Sequence, residues 1–183
     1  MYYTRLCVRH FFKGYAAGPH WNRHGSGSNF LCLPEHPQWK TFVSGVHKSA
    51  VGEIYGVQYG VSSAIFNNNV FSKKNNNGQT LFNRPAPCAM CYVAGRSVVM
   101  VPARTQCPRG WIKQYGGYLV SEAKGNEDRG RSNYVCWDEA PEGGVDESVF
   151  QSAIYPVEVR CGTLPCSEYI DSRQLACVVC SKW

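Results

Sequence analysis

No apolar run in this chain approaches the ~20 residues that a membrane-spanning helix needs, so no membrane span is expected. Charge is also scarce: Asp, Glu, Lys and Arg make up 17% of 183 residues. The 19 basic residues exceed the 13 acidic ones by only six, and Lys73-Lys74 is the only adjacent basic pair. A nucleic-acid surface would need a basic stripe or cluster with interleaved aromatics, so that partner class is set aside in favour of a mildly basic, solvated surface. There is no Gly-x-Ser-x-Gly, His-Glu-x-x-His or phosphate-loop motif, and no Asn-X-Ser/Thr sequon. The expectation is a protein that is not an enzyme and carries no N-linked glycan. No stretch keeps a helical period beyond about two turns. Met1-Tyr-Tyr-Thr-Arg5 carries no apolar leader segment, so a mature form whose leader has been removed is expected.

Cysteine is plentiful instead, at ten residues, and its placement repeats. Tyr15-Ala-Ala-Gly18 and Ser28-Asn-Phe-Leu-Cys32 are echoed by Tyr118-Leu-Val-Ser121 and Ser132-Asn-Tyr-Val-Cys136. Each Tyr follows a glycine, Gly14 or Gly117. Arg84…Cys88-Ala-Met-Cys91 matches Arg173…Cys177-Val-Val-Cys180 in spacing, and Ile54-Tyr-Gly-Val-Gln58 matches Ile154-Tyr-Pro-Val-Glu158. The chain therefore reads as two copies of a module of roughly 90 residues, residues 1–95 and 96–183, forming one compact unit. A module of this size buries a modest core, so cross-links add meaningfully to its stability.

Strand signals dominate both copies. Short runs rich in β-branched and aromatic residues recur at Asn29–Leu33, Glu53–Val61, Ser97–Val101, Ser132–Trp137, Ala153–Val159 and Leu175–Val179. Gly, Pro, Asn and Ser clusters separate them. The expected fold is all-β, with two tandem pseudo-symmetric, disulfide-braced β subdomains and long loops. An Asn-rich insertion at 62–80 reads as an exposed hairpin or loop of the first copy.

Within each repeat four cysteines allow three pairings. The nested one is favoured: Cys7–Cys91 with Cys32–Cys88, and Cys107–Cys180 with Cys136–Cys177. Residues three apart on a strand face opposite sides, so each Cys-x-x-Cys can anchor two different segments. Cys161–Cys166 then closes a small loop. The exchanged pairing, 7–88 with 32–91, remains open. A zinc tetrathiolate and a redox Cys-x-x-Cys are the rival readings. The first must ignore six further thiols, and the second lacks its α/β unit. Five disulfides fit an oxidising compartment and a secreted, extracellular protein.

Cys88-Ala-Met-Cys91…Val98-Val-Met-Val-Pro102…Cys107-Pro-Arg-Gly-Trp111…Tyr115-Gly-Gly-Tyr118 resembles the junction between the two halves of the type IV collagen noncollagenous C-terminal domain. That family is also an internal duplication. Its nested bridges and short inner loop imply the same pairing, including Cys161–Cys166. Repeat 1 departs from it by lacking the short inner bridge and the Pro and Trp after Cys7. Asn29-Phe-Leu-Cys-Leu-Pro34, Tyr134-Val-Cys-Trp-Asp-Glu139-Ala-Pro-Glu142, Tyr155-Pro-Val-Glu158 and Cys161-Gly-Thr-Leu-Pro-Cys166 look like the C-terminal region of invertebrate short-chain collagens. No Gly-X-Y repeat is present, so this would be the globular module alone. Free-standing modules of this kind are similar to a calcium-dependent galactose-binding lectin of sea anemones. The resemblance therefore implies a lectin for terminal galactose or related glycans, with calcium as cofactor.

A calcium-type sugar site needs a hard cation with six to eight oxygen ligands and an aromatic face for the apolar side of the ring. Repeat 2 offers that mixture. Seven of the 13 acidic residues, Glu122, Glu127, Asp128, Asp138, Glu139, Glu142 and Asp146, lie between positions 122 and 146. Asn126, Glu127, Asp128, Trp137 and Asp138 are the expected carbohydrate contacts, with Asp128, Asp138 and Glu139 on the metal. The bland alternative is an inert acidic loop. Pro19-His-Trp-Asn-Arg-His24 is a second candidate surface, where Trp21 could stack on a sugar and His20 or His24 donate hydrogen bonds or bind a transition metal. Trp39 and Trp111 are expected to pack beneath the bridges. A single sugar binds weakly, so avidity calls for a homodimer. The alternative function is a structural, oligomerising module of the extracellular matrix without sugar binding. Paired carboxylates such as Asp138 and Glu142 could also serve a glycosidase, a reading set aside because acidic loops produce such pairs easily.

Overall fold

The computed structural model describes residues 10–40, 51–60, 81–123, 130–144 and 151–182. Among them there is no helix, and nine strands join in one sheet. The strands are β1 (His10–Gly18), β2 (Leu31–Pro34), β3 (Tyr55–Tyr59), β4 (Pro87–Cys91), β5 (Ser97–Pro102), β6 (Ile112–Ser121), β7 (Val135–Asp138), β8 (Ser152–Pro156) and β9 (Ala176–Lys182). Their order is β2-β1-β3-β8-β6-β9-β5, with β4 also on β1 and β7 also on β6. The fold is all-β, as the alternation of strand and turn residues predicts.

The matched motifs pair in matched register. Gly14, Tyr15 and Ala16 oppose Pro34, Leu33 and Cys32; Gly117, Tyr118 and Leu119 oppose Asp138, Trp137 and Cys136. Gly14 also opposes Cys88, as Gly117 opposes Cys177. The correspondence extends into the loops. Tyr59 N donates to Arg84 O at 3.1 Å and Val159 N to Arg173 O at 3.0 Å. Asn83 and Ser172, both in the left-handed region, donate to Tyr59 O and Val159 O. Between the two sets, β3 and β8 pair in parallel, with Tyr59 opposite Ile154.

Three strands escape the sequence pattern: β1, β4 and β6. Gly14, Gly116 and Gly117 lie inside strands, where glycine is depleted. A Cβ on Gly14 would stand 1.6 Å from Leu33 O, and one on Gly117 1.9 Å from Trp137 O. The glycines admit a close strand approach, a use of Gly that a strand interior permits.

Two apolar clusters form the core. One joins Ala16, Val57, Tyr59 and Ala86 of the first repeat to Val120 and Ile154 of the second; the other holds Leu119, Cys136, Cys177 and Val179. Each fully buried Val or Ile contributes about 1.5–3 kcal/mol relative to exposure. Cys32–Cys88, Cys107–Cys180, Cys136–Cys177 and Cys161–Cys166 are bonded as the nested pairing requires. The Cys32–Cys88 bond excludes the exchanged pairing. Cys91 is disulfide-bonded, and the expected Cys7–Cys91 bridge lies outside the described residues, as does the insertion at 62–80. Trp39 corrects an expectation: it is 87% exposed and packs beneath no bridge. It follows β2 in a run, Glu35–Lys40, that is exposed throughout. Trp111 is half-buried.

Candidate functional site

In repeat 2, β7 ends at Asp138, and the chain turns there. Asp138 Oδ1 accepts from Ala140 N at 3.0 Å, the side-chain turn that Asp favours. Four residues on, Glu142 is half-buried, and its carbonyl accepts from the Tyr59 hydroxyl at 2.5 Å. Burial raises the Glu142 carboxyl above its ordinary range; the neighbouring Asp138 carboxylate adds to the rise, and the positive charge of Lys13 opposes it. Asp138 also adds to the upward push on Tyr115, whose burial takes its phenol to about 12. Asp138 and Glu142 thus share one locale. Glu139 is exposed, and its backbone N donates to Gly116 O at 3.3 Å.

Trp137 is half-buried and packs on the first core cluster. Tyr59 meets it edge-on at 6.2 Å and 86°, and its Nε1 lies 3.4 Å from the Tyr59 hydroxyl. The indole thus contributes to the core and to the junction of the repeats. Asn126, Glu127 and Asp128 lie outside the described residues. Their described neighbours, Ala123 and Gly130, stand beyond the Ser121 end of β6, whereas Asp138 opposes Gly117. Four strand positions separate Gly117 from Ser121, about 13 Å at the usual rise. Among the described residues no three His, Cys, Asp or Glu side chains gather as metal ligands.

The second candidate surface is more fully built. Its loop follows β1 and is anchored to the other repeat: Trp21 N donates to Gln151 O at 2.9 Å, Gly130 N to Trp21 O at 2.7 Å, and Phe30 N to Asn133 Oδ1 at 3.1 Å. Gly130 admits this approach, since a Cβ there would stand 2.5 Å from His20 O. Glu53, fixed by a 2.8 Å bond from its N to Ser26 Oγ, and Tyr55 at the head of β3 face the loop. Arg23 Nη1 donates to Glu53 Oε2 and to the Tyr55 hydroxyl, each at 2.9 Å, and that hydroxyl donates to the same Glu53 oxygen. These bonds, Tyr55's first and Arg23's next, hold the Glu53 carboxyl below its ordinary range. His20 lies edge-on to Tyr55 at 4.7 Å and stacks on Trp21 at 5.9 Å. Its Nδ1 accepts from Asn22 N at 3.3 Å, while His24 is exposed.

Of this group, sequence reasoning assigned roles only to His20, Trp21 and His24. Glu53 and Tyr55 lie 30 and 32 positions from Arg23, and no local motif joins them. The available signal was that Glu53 directly precedes the Ile54-Tyr55 repeat motif, which heads a strand. No family model, curated protein or solved structure matches this chain.

Proposed function

We propose that the protein is a secreted carbohydrate-binding protein, calcium-dependent and directed at terminal galactose. The observation that carries this reading is the pairing of Asp138 with Glu142 where β7 ends. Burial and the nearby Asp138 carboxylate raise the proton affinity of Glu142, a strain on the charged form that a hard cation relieves, and carboxylates with nearby carbonyls are the oxygen donors calcium takes. In kind the donors fit; in number the described residues bring two carboxylates. Asn126, Glu127 and Asp128 are the proposed further contributors, with Asp128, Asp138 and Glu139 as the ligands expected from sequence. Secretion is supported by the four disulfides among the described residues. No helix of the described residues is long and apolar enough to cross a membrane.

Calorimetric titration of galactose and lactose, first with calcium and then with excess chelator, tests the reading. Heat that requires calcium, and that Asp138→Asn reduces at least about tenfold, is the expected outcome. Absence of calcium-dependent binding to galactose, lactose and a broad glycan array rejects it.

One observation favours the second reading, an assembly module without sugar binding. Tyr15, Leu31 and Leu33, neighbours on β1 and β2, are 57%, 51% and 36% exposed. Exposed apolar side chains grouped on one sheet face mark an association surface.

A further inference from the structure

His20, Trp21, Arg23, Glu53 and Tyr55 form a constellation that the calcium reading does not use. Exposed ion pairs contribute little stability, and the Arg23 and Glu53 side chains are 58% and 43% exposed. Nevertheless two donors, Arg23 Nη1 and the Tyr55 hydroxyl, converge here on one oxygen, Glu53 Oε2. The backbone beneath them is tied down at Trp21, Glu53 and Gly130. Among the described residues, Glu53 Oε1 and the guanidinium N–H groups other than those of Nη1 hold no protein hydrogen bond. A fixed acceptor and a fixed donor edge therefore stand side by side. His20 sits between Trp21 and Tyr55, so aromatic rings border the pair.

We propose that this surface is a metal-independent subsite for a neutral pyranose carrying two adjacent free hydroxyls. One hydroxyl donates to Glu53 Oε1. Its neighbour accepts from the Arg23 guanidinium. The apolar C–H face of the ring lies against the His20–Trp21–Tyr55 aromatics, the usual division of labour in a sugar contact.

The charge balance selects a neutral ligand. Arg23 and Glu53 cancel, and His20 is held below its ordinary value by burial and then by Arg23, so it is uncharged at neutral pH. An acidic sugar would meet the Glu53 carboxylate. A calcium ion would meet the Arg23 guanidinium, which lies 2.9 Å from the cluster's single carboxylate, and like charges at that range repel strongly. The subsite goes beyond the calcium-dependent reading and stands on different residues.

The test uses the full chain in excess chelator. Methyl glycosides of galactose, glucose and mannose are titrated by saturation-transfer NMR and calorimetry, with N-acetylneuraminic acid as the charged comparison. The expected result is saturable, millimolar binding of at least one neutral glycoside without metal. Glu53→Gln and Arg23→Gln should each weaken it about tenfold or more, the loss of one charge-assisted hydrogen bond. Both side chains are exposed, so the thermal transition should stay in place. If Arg23→Gln lowers it, the isosteric Glu53→Gln carries the test alone. No saturable binding of any neutral glycoside in chelator overturns the proposal. So does unchanged binding in Glu53→Gln, or tighter binding of the anionic sugar. Asp138→Asn separates the two readings, since it should abolish only the heat that requires calcium.

Discussion

At the scale of the residue, Tyr115 shows how burial turns a side chain into a pH-dependent support. It lies on β6, packs on the second core cluster, and donates to Cys136 O at 3.1 Å. Burial, and secondarily the Asp138 carboxylate, raises its phenol from 10.0 to about 12. Below pH 10 the phenol is protonated in both folded and unfolded chains, and its contribution to stability is complete. Between pH 10 and about 12 the unfolded chain releases the proton and the folded chain keeps it. Stability then falls by about 1.4 kcal/mol per pH unit from this group. Urea unfolding from about pH 9 to about pH 11.5 should show that fall, and Tyr115→Phe should flatten it. Equal slopes in the two proteins would remove Tyr115 from the account. No cysteine among the described residues is free to exchange thiols meanwhile.

At the scale of the element, the disulfides and the glycines explain each other. Cys136–Cys177 joins β7 to β9, the two strands that flank β6, and Cys32–Cys88 joins β2 to β4 across β1 in the same way. Gly117 and Gly14 stand where those partners close in. The cysteine spacing made the pairings legible in repeat 2, and the paired Ser-Asn-aromatic-aliphatic-Cys motifs made β2 and β7 legible. The central strands were hidden because a glycine needed for close approach looks like one needed for a turn. The Arg23–Glu53–Tyr55 group was hidden because register, which a single sequence does not display, brings its members together. The bridges should also differ in resistance. Cys136–Cys177 is buried and closes a separation of 41 residues, for about 4 kcal/mol by loop entropy. Cys161–Cys166 closes a separation of 5 in an exposed loop, for about 2 kcal/mol. Limited reduction of the folded protein, followed by alkylation and peptide mapping, should open Cys161–Cys166 first, with a smaller loss of thermal stability than opening Cys136–Cys177 causes. Labelling of Cys136 or Cys177 before Cys161 would mean that burial does not set the order.

At the scale of the whole molecule, corresponding faces of the two repeats meet different fates. Tyr118, Val135 and Trp137 occupy the positions of Tyr15, Leu31 and Leu33. The first three pack on the cluster that contains Tyr59. Tyr59 crosses from the first repeat to reach Trp137 and Glu142 O, drawn there by the parallel pairing of β3 with β8. The residue in the same hydrogen-bonding position of the second repeat is Val159, which is itself 5% exposed. Val159 has no ring to extend, and the face of Tyr15, Leu31 and Leu33 stays open. An open apolar face on a sheet edge is best closed by its own copy, because an isologous pair covers both faces at once and leaves no free end. Sedimentation velocity across a concentration series should therefore reveal a monomer–dimer equilibrium. Leu33→Glu with Tyr15→Glu should shift it to monomer by setting like charges against one another, while leaving the thermal transition near its place because both positions are exposed. A protein that stays monomeric at the highest concentration, or a dimer indifferent to both glutamates, would move the association surface elsewhere. Under the proposed sugar-binding function a dimer would also set two such surfaces on one particle, so the double variant should lose avidity for a multivalent glycan while keeping its affinity for a single sugar.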